Sequence, residues 1–103
     1  MLNGLAPMHP GELLREDVLP ALGLSKTAVA RRLGISRQTL YDILEEPQPV
    51  TARMALRLGK FCGNGPDLWL TLQSKFDLHR QASAMADDLD RIEPAGAALK
   101  ASF

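Results

Sequence analysis

Cysteine is nearly missing from this chain. Cys62 stands alone, which excludes an intramolecular disulfide and fits a reducing, cytoplasmic setting. Its place on an apolar helix face reads as a buried structural thiol. Aromatic residues are scarce: one Trp, one Tyr and three Phe leave the core to Leu, Ala, Val and Ile. No apolar run approaches the roughly 20 residues that a membrane span needs. The opening stretch MLNGLAPMHP has no basic n-region and no long apolar centre, so it does not read as a secretory signal. His9 and His79 lie far apart and lack ligand-spaced partners, which argues against zinc or iron. No Ser, Cys or carboxylate pair has a catalytic setting. Neither an enzyme nor a cofactor is expected.

Charge of either sign is also lacking in sum, because 12 basic residues balance 12 acidic ones. Non-specific nucleic-acid binders are usually basic overall. The distribution is uneven, however. Between Lys26 and Lys60 there are seven basic residues, Lys26, Arg31, Arg32, Arg37, Arg53, Arg57 and Lys60, against Asp42, Glu45 and Glu46. That segment therefore carries a surplus of four positive charges and the remainder a matching negative surplus. Such a dipolar chain can turn one basic face to DNA.

What is present is helix punctuation. At 103 residues the chain is one domain, able to bury roughly two thirds of its unfolded surface. Pro10 opens a first helix, with Leu13, Leu14 and Val18 inward and Pro20 and Gly23 at its end. His9 is placed to help cap it. Ser25 caps a second helix that runs to about Leu33, and Gly34 takes the positive φ that stops it. Ser36 caps a third helix to about Leu44. The segment Glu45–Val50 is a loop, since its two prolines cannot continue a helix. Thr51 caps a fourth helix, Ala52 to Cys62, with Met54, Ala55, Leu58, Phe61 and Cys62 inward. After the turn Gly63-Asn64-Gly65-Pro66, a fifth helix carries Leu68, Trp69, Leu72 and Phe76 and extends to about Met85. Residues 1–86 form the folded domain, and 87–103 a weakly ordered tail with some helix.

The second and third helices carry the functional signal. In KTAVARRLGISRQTLYDILE, the small or apolar positions Val29, Ala30, Leu33, Ile35, Leu40 and Ile43 make one compact interface across a tight turn. Ser36, Arg37, Gln38, Thr39, Tyr41 and Asp42 are left outside. A helix presenting Ser-Arg-Gln-Thr at its N-terminal end suits the DNA major groove. The reading is a helix-turn-helix.

With its flanks the motif becomes more specific. His9-Pro10-Gly11-Glu12, Ala55-Leu56-Arg57-Leu58 and Pro66-x-x-Trp69-Leu70-x-Leu72-Gln73 stand in register over about residues 8 to 80. In this order they resemble the HigA-type (VapI-like) antitoxins of the Xre helix-turn-helix group. The resemblance implies an all-α, λ-repressor-like fold of five helices and a cytoplasmic homodimer. It implies binding to an operator in the protein's own promoter, and a HigB-type toxin partner similar to the RelE ribonucleases.

Arg37 and Gln38 are the candidates for base readout, because Arg matches guanine O6 and N7 and Gln matches adenine N6 and N7. Ser36 and Thr39 can bond phosphate or base, although capping alone accounts for Ser36. Tyr41 lies one turn further on, within reach of the backbone or a thymine methyl. Asp42 repels phosphate unless it reads a cytosine amino group. Lys26, at the N-terminus of the second helix, and Arg53, at the start of the fourth, are candidate phosphate contacts. Arg57 and Lys60 continue the Arg53 stripe, whose plainer reading is a solvated face. Trp69, Leu72 and Phe76 belong to the core or the dimer contact. Where the family has a small or basic loop, this chain has Glu45-Glu46-Pro47-Gln48-Pro49. Carboxylates near phosphate weaken binding and flatten its salt dependence. The competing readings are a stand-alone Xre-type regulator without a toxin and a protein-interaction module that no longer binds DNA.

Overall fold

Residues 7–45 and 48–96 are described in a computed structural model, and every described regular element is helical. The elements are α1 (Pro10–Leu13), a π-helical stretch (Leu14–Val18), α2 (Leu19–Leu22), α3 (Lys26–Leu33), α4 (Arg37–Glu45), α5 (Ala52–Cys62), α6 (Pro66–Ala84) and α7 (Ala86–Asp90). The first three are continuous, so the five expected helices stand where the punctuation puts them. The architecture is the all-α, λ-repressor-like one.

Capping accounts for the boundaries. The N–H of Ala28 donates to Ser25 Oγ at 3.1 Å, that of Thr39 to Ser36 Oγ at 3.0 Å, and that of Met54 to Thr51 Oγ1 at 3.3 Å. Each satisfies one of the donors a helix start leaves open. His9 caps α1 through Nδ1, which accepts from the Gly11 N–H at 2.9 Å. Pro20 does not end the first helix. A proline within an α-helix clashes with the carbonyl four residues back. Here the turn just before it is widened to π geometry, with the Leu19 N–H reaching back to Leu14 O, and the helix continues to Leu22. Gly23, with φ 67°, ends it.

The core gathers Leu14, Val29, Leu40, Leu44, Leu58 and Trp69, each at most 1% exposed, with Val50 and Ala55. Leu13, Val18, Ile35, Phe61 and Cys62 pack on its edge. Cys62 is thus half-buried rather than enclosed, and burial raises its thiol pKa above the ordinary value. Trp69 is fully buried, whereas Leu72 and Phe76 are half-buried and Leu68 is exposed. Beyond Phe76 every described residue is exposed. Ala86–Asp90 adds one short helical turn within the segment expected to be weakly ordered. Glu46 and Pro47 of the acidic loop, and residues 97–103 of the tail, lie outside the described residues.

Candidate nucleic-acid interface

The helix-turn-helix is built on a turn that only glycine fits well. Gly34 has φ 73°. The Gly34 N–H donates to Arg31 O at 3.1 Å and the Ile35 N–H to Ala30 O at 3.0 Å. This pair of bonds is the Schellman arrangement, which closes a helix on a left-handed residue. The chain then turns into Ser36, and α4 leaves with Leu40, Ile43 and Leu44 buried.

Both helices of the motif are held at their C-terminal ends by arginines from outside it. Arg57 of α5 donates through Nη1 to Leu33 O at 2.9 Å. Its guanidinium fills the space beside Gly34, where a Cβ would stand 2.7 Å from Nη1. Arg15, in the π-helical stretch, donates through Nη1 to Leu44 O at 2.6 Å. Charged donors at the last carbonyls also complement the helix dipole. A third clamp is steric. A Cβ at Gly11 would collide with the Ile43 carbonyl, so only glycine lets α1 lie directly against the backbone of α4. Sequence reasoning placed Arg57 on a solvated stripe and assigned Arg15 no role. Both bonds span more than 20 residues of sequence, and no local pattern announces them.

The outer face of α4 is as expected in composition, and the structure adds its internal bonds. Ser36, Arg37, Gln38 and Thr39 are exposed, and Tyr41 and Asp42 half-buried. The Ser36 and Thr39 hydroxyls bond each other at 2.8 Å. Gln38 Nε2 donates to Asp42 Oδ1 at 2.7 Å, so Asp42 orients the Gln38 amide. Arg37 Nη1 reaches Thr27 Oγ1 on α3 at 3.4 Å, and Thr27 joins the face without having been singled out. Lys26 Nζ lies 3.8 Å from Glu45 Oε1 and 5.2 Å from the Tyr41 ring centroid. Lys26, Tyr41 and Glu45 therefore form one cluster that bridges the start of α3 and the end of α4. Arg53 is exposed at the first turn of α5.

The comparisons with known proteins fit this geometry. The helix-turn-helix family profile matches residues 14–69, more than half of the chain. Virulence-associated protein I of Dichelobacter nodosus is 40% identical over 76 residues, which cover 74% of this chain and 70% of that protein. The structure of Pseudomonas aeruginosa antitoxin HigA with the higBA promoter superposes with a TM-score of 0.81 at 36% identity, covering 87% of this chain and 99% of the other. This chain belongs to the HigA-type, VapI-like antitoxins of the helix-turn-helix family. Antitoxin GraA in complex with its operator is a further neighbour, at TM-score 0.82 and 39% identity, covering 94% of this chain and 99% of that one. The family is one of DNA-binding regulators rather than enzymes. Among the described residues no helix is long and apolar enough to cross a membrane.

Proposed function

We propose that this chain is a cytoplasmic antitoxin that binds the operator of its own promoter as a homodimer, represses that operon and neutralises a HigB/RelE-like toxin. The observation that carries the DNA half is the clamped α4, whose exposed first turn presents Ser36, Arg37, Gln38 and Thr39. Antitoxins of this fold at 36% and 39% identity have been solved on promoter and operator DNA, which supports the same use here. In this reading Arg37 and Gln38 contact bases. Ser36, Thr39 and Tyr41 contact bases or backbone, and Lys26 and Arg53 contact phosphates. A single recognition helix binds weakly, and a two-fold dimer sets two of them about 34 Å apart on successive major grooves. The toxin half of the proposal rests on family membership.

The test is a mobility-shift titration on the protein's own promoter at low and moderate salt. Arg37→Ala relaxes sequence preference, whereas Lys26→Ala weakens all sequences alike. Equal loss on operator and random DNA for Arg37→Ala contradicts its base-reading role. No shift at micromolar protein in about 50 mM salt, where electrostatic binding is strong, favours the interaction-module reading. The Lys26–Glu45 pair is the observation that favours that second reading. Co-purification with the product of the adjacent small basic reading frame tests the toxin partner, and absence of such a frame removes it.

A further inference from the structure

Among the described residues the buried polar side chains are His9 and Gln73, 9% and 6% exposed. They belong to the two flanking motifs, His9-Pro10-Gly11-Glu12 and the segment that ends at Gln73. From α1 and α6 they converge on one place, residues 48–51, which lead into α5. The Gln48 backbone lies beside the His9 ring, and Gln73 holds the Val50 backbone. On its other side this stretch adjoins the reading helix: Gln48, Pro49 and Thr51 share a shallow cleft with Thr39 and Asp42.

Glutamine is the residue this position needs. Val50 is buried, and its N–H lies outside any helix. A buried donor left unpaired carries its full desolvation penalty. Gln73 Oε1 accepts it at 2.7 Å, while Nε2 donates to Asp77 Oδ1 at 2.9 Å. A backbone N–H only donates and a carboxylate only accepts, so a single amide orientation serves both. Gln73→Glu would set a carboxylate against Asp77, and an apolar side chain would orphan the Val50 N–H. Trp69, one turn earlier on α6 and fully buried, fixes the seat of Gln73.

The consequence is felt on α5. Val50 precedes the Thr51 cap, and an apolar residue there, packed on the fourth residue of the helix, sets the angle at which the chain enters it. That fourth residue is Ala55, which shares the core with Val50. Val50 is thus held by its side chain in the core and by its N–H on Gln73. The Thr51 cap bond is long, 3.3 Å, so the first turn of α5 depends on this second hold. The same turn carries the exposed Arg53.

We propose that Gln73 is a positioning residue for operator binding: from α6 it fixes Val50, and through Val50 the first turn of α5, so that Arg53 meets its phosphate. This role rests on the operator reading above and deepens it.

The test joins amide exchange by NMR with salt titrations of operator binding, in the full chain. Gln73→Met keeps length and packing and removes both hydrogen bonds. Exchange protection of the Val50 amide falls about tenfold or more. Operator affinity falls about tenfold in 0.1 M salt, and the slope of log K against log salt flattens by about one. Combined with Arg53→Ala, Gln73→Met costs nothing further, because both act through one contact. A glutamine that only supports the fold lowers the unfolding midpoint and multiplies its effect with that of Arg53→Ala. Asp77→Ala is a second variant that leaves the core untouched and frees the Gln73 amide to turn. Removing a carboxylate raises affinity by charge alone, so the smaller affinity loss expected for Asp77→Ala is specific, and it decides the matter if Gln73→Met does not fold. An unchanged Val50 amide in Gln73→Met, an unchanged salt slope, or losses that multiply with Arg53→Ala overturn the proposal. A wild-type chain that shifts no operator DNA removes the operator reading itself and leaves Gln73 a structural residue.

Discussion

At Lys26 the ammonium expected to meet phosphate already has partners. Glu45 and the face of Tyr41 hold it across the mouth of the motif. The pair is exposed and adds little to stability, but a phosphate must displace the carboxylate or bind beside it. Glu45→Gln is therefore expected to raise operator affinity and steepen the salt dependence by about one counterion, measured as the slope of log K against log salt. Asp42 also has a structural partner on its own helix. It orients the Gln38 amide and leaves that side chain an N–H and an oxygen for an adenine edge. Asp42→Ala is expected to keep overall affinity within a few-fold while narrowing the preference between matched and mismatched operators by about 1 kcal/mol, read by competition binding. The residue types on α4 were legible in the sequence. Their pairing was not, because a rotamer choice and a neighbour on another turn decide it.

The two helices of the motif are elements whose ends are fixed by others. Arg57 caps α3 and Arg15 caps α4, while Arg53, one turn from Arg57, is exposed. Arg57→Gln is expected to destabilise the fold by about 1 kcal/mol and to lower operator affinity with the salt slope unchanged. Arg53→Ala is expected to flatten that slope by about one with little loss of stability. Urea melts and salt titrations on the two variants separate the roles, and a flattened slope for Arg57→Gln puts it on the DNA instead. Gly34→Ala is expected to cost about 1–2 kcal/mol, since φ 73° is strained for alanine and the new Cβ presses on Arg57. Helix starts were readable from Ser25, Ser36 and Thr51, because an N-cap is a contact over three residues. The passage through Pro20 was not, because a π turn is a packing outcome.

At the scale of the molecule, His9 ties the first helix to α6. It caps α1 through Nδ1 and meets the Phe76 ring edge-on at 4.8 Å between centroids. Burial lowers its pKa from the ordinary 6.5, opposed in part by the Gln48 backbone and the Asp77 and Glu12 carboxylates, with Arg80 adding to the lowering. A base with a depressed folded-state pKa is stabilising when neutral. Its contribution is present above pH 6.5 and is lost as pH falls through the lower folded-state value. Protonation also removes the Nδ1 lone pair that caps α1. Thermal melts between pH 7.5 and 5 are expected to show a fall in midpoint that His9→Asn, a residue that can still cap, flattens. An equal fall in both proteins excludes His9 as the source.

The sequence by itself determined the helices, their caps, the core stripe and the family. Each of these depends on residues within a turn or two of one another, or on the order of the motifs along the chain. Tertiary structure alone decided how the reading helix is held and how free its charges are. Arg15, Gly11, Arg57 and Glu45 act across distances in the chain that no periodicity encodes. Their partners are backbone carbonyls or a side chain on another helix, and they meet only once the helices have packed.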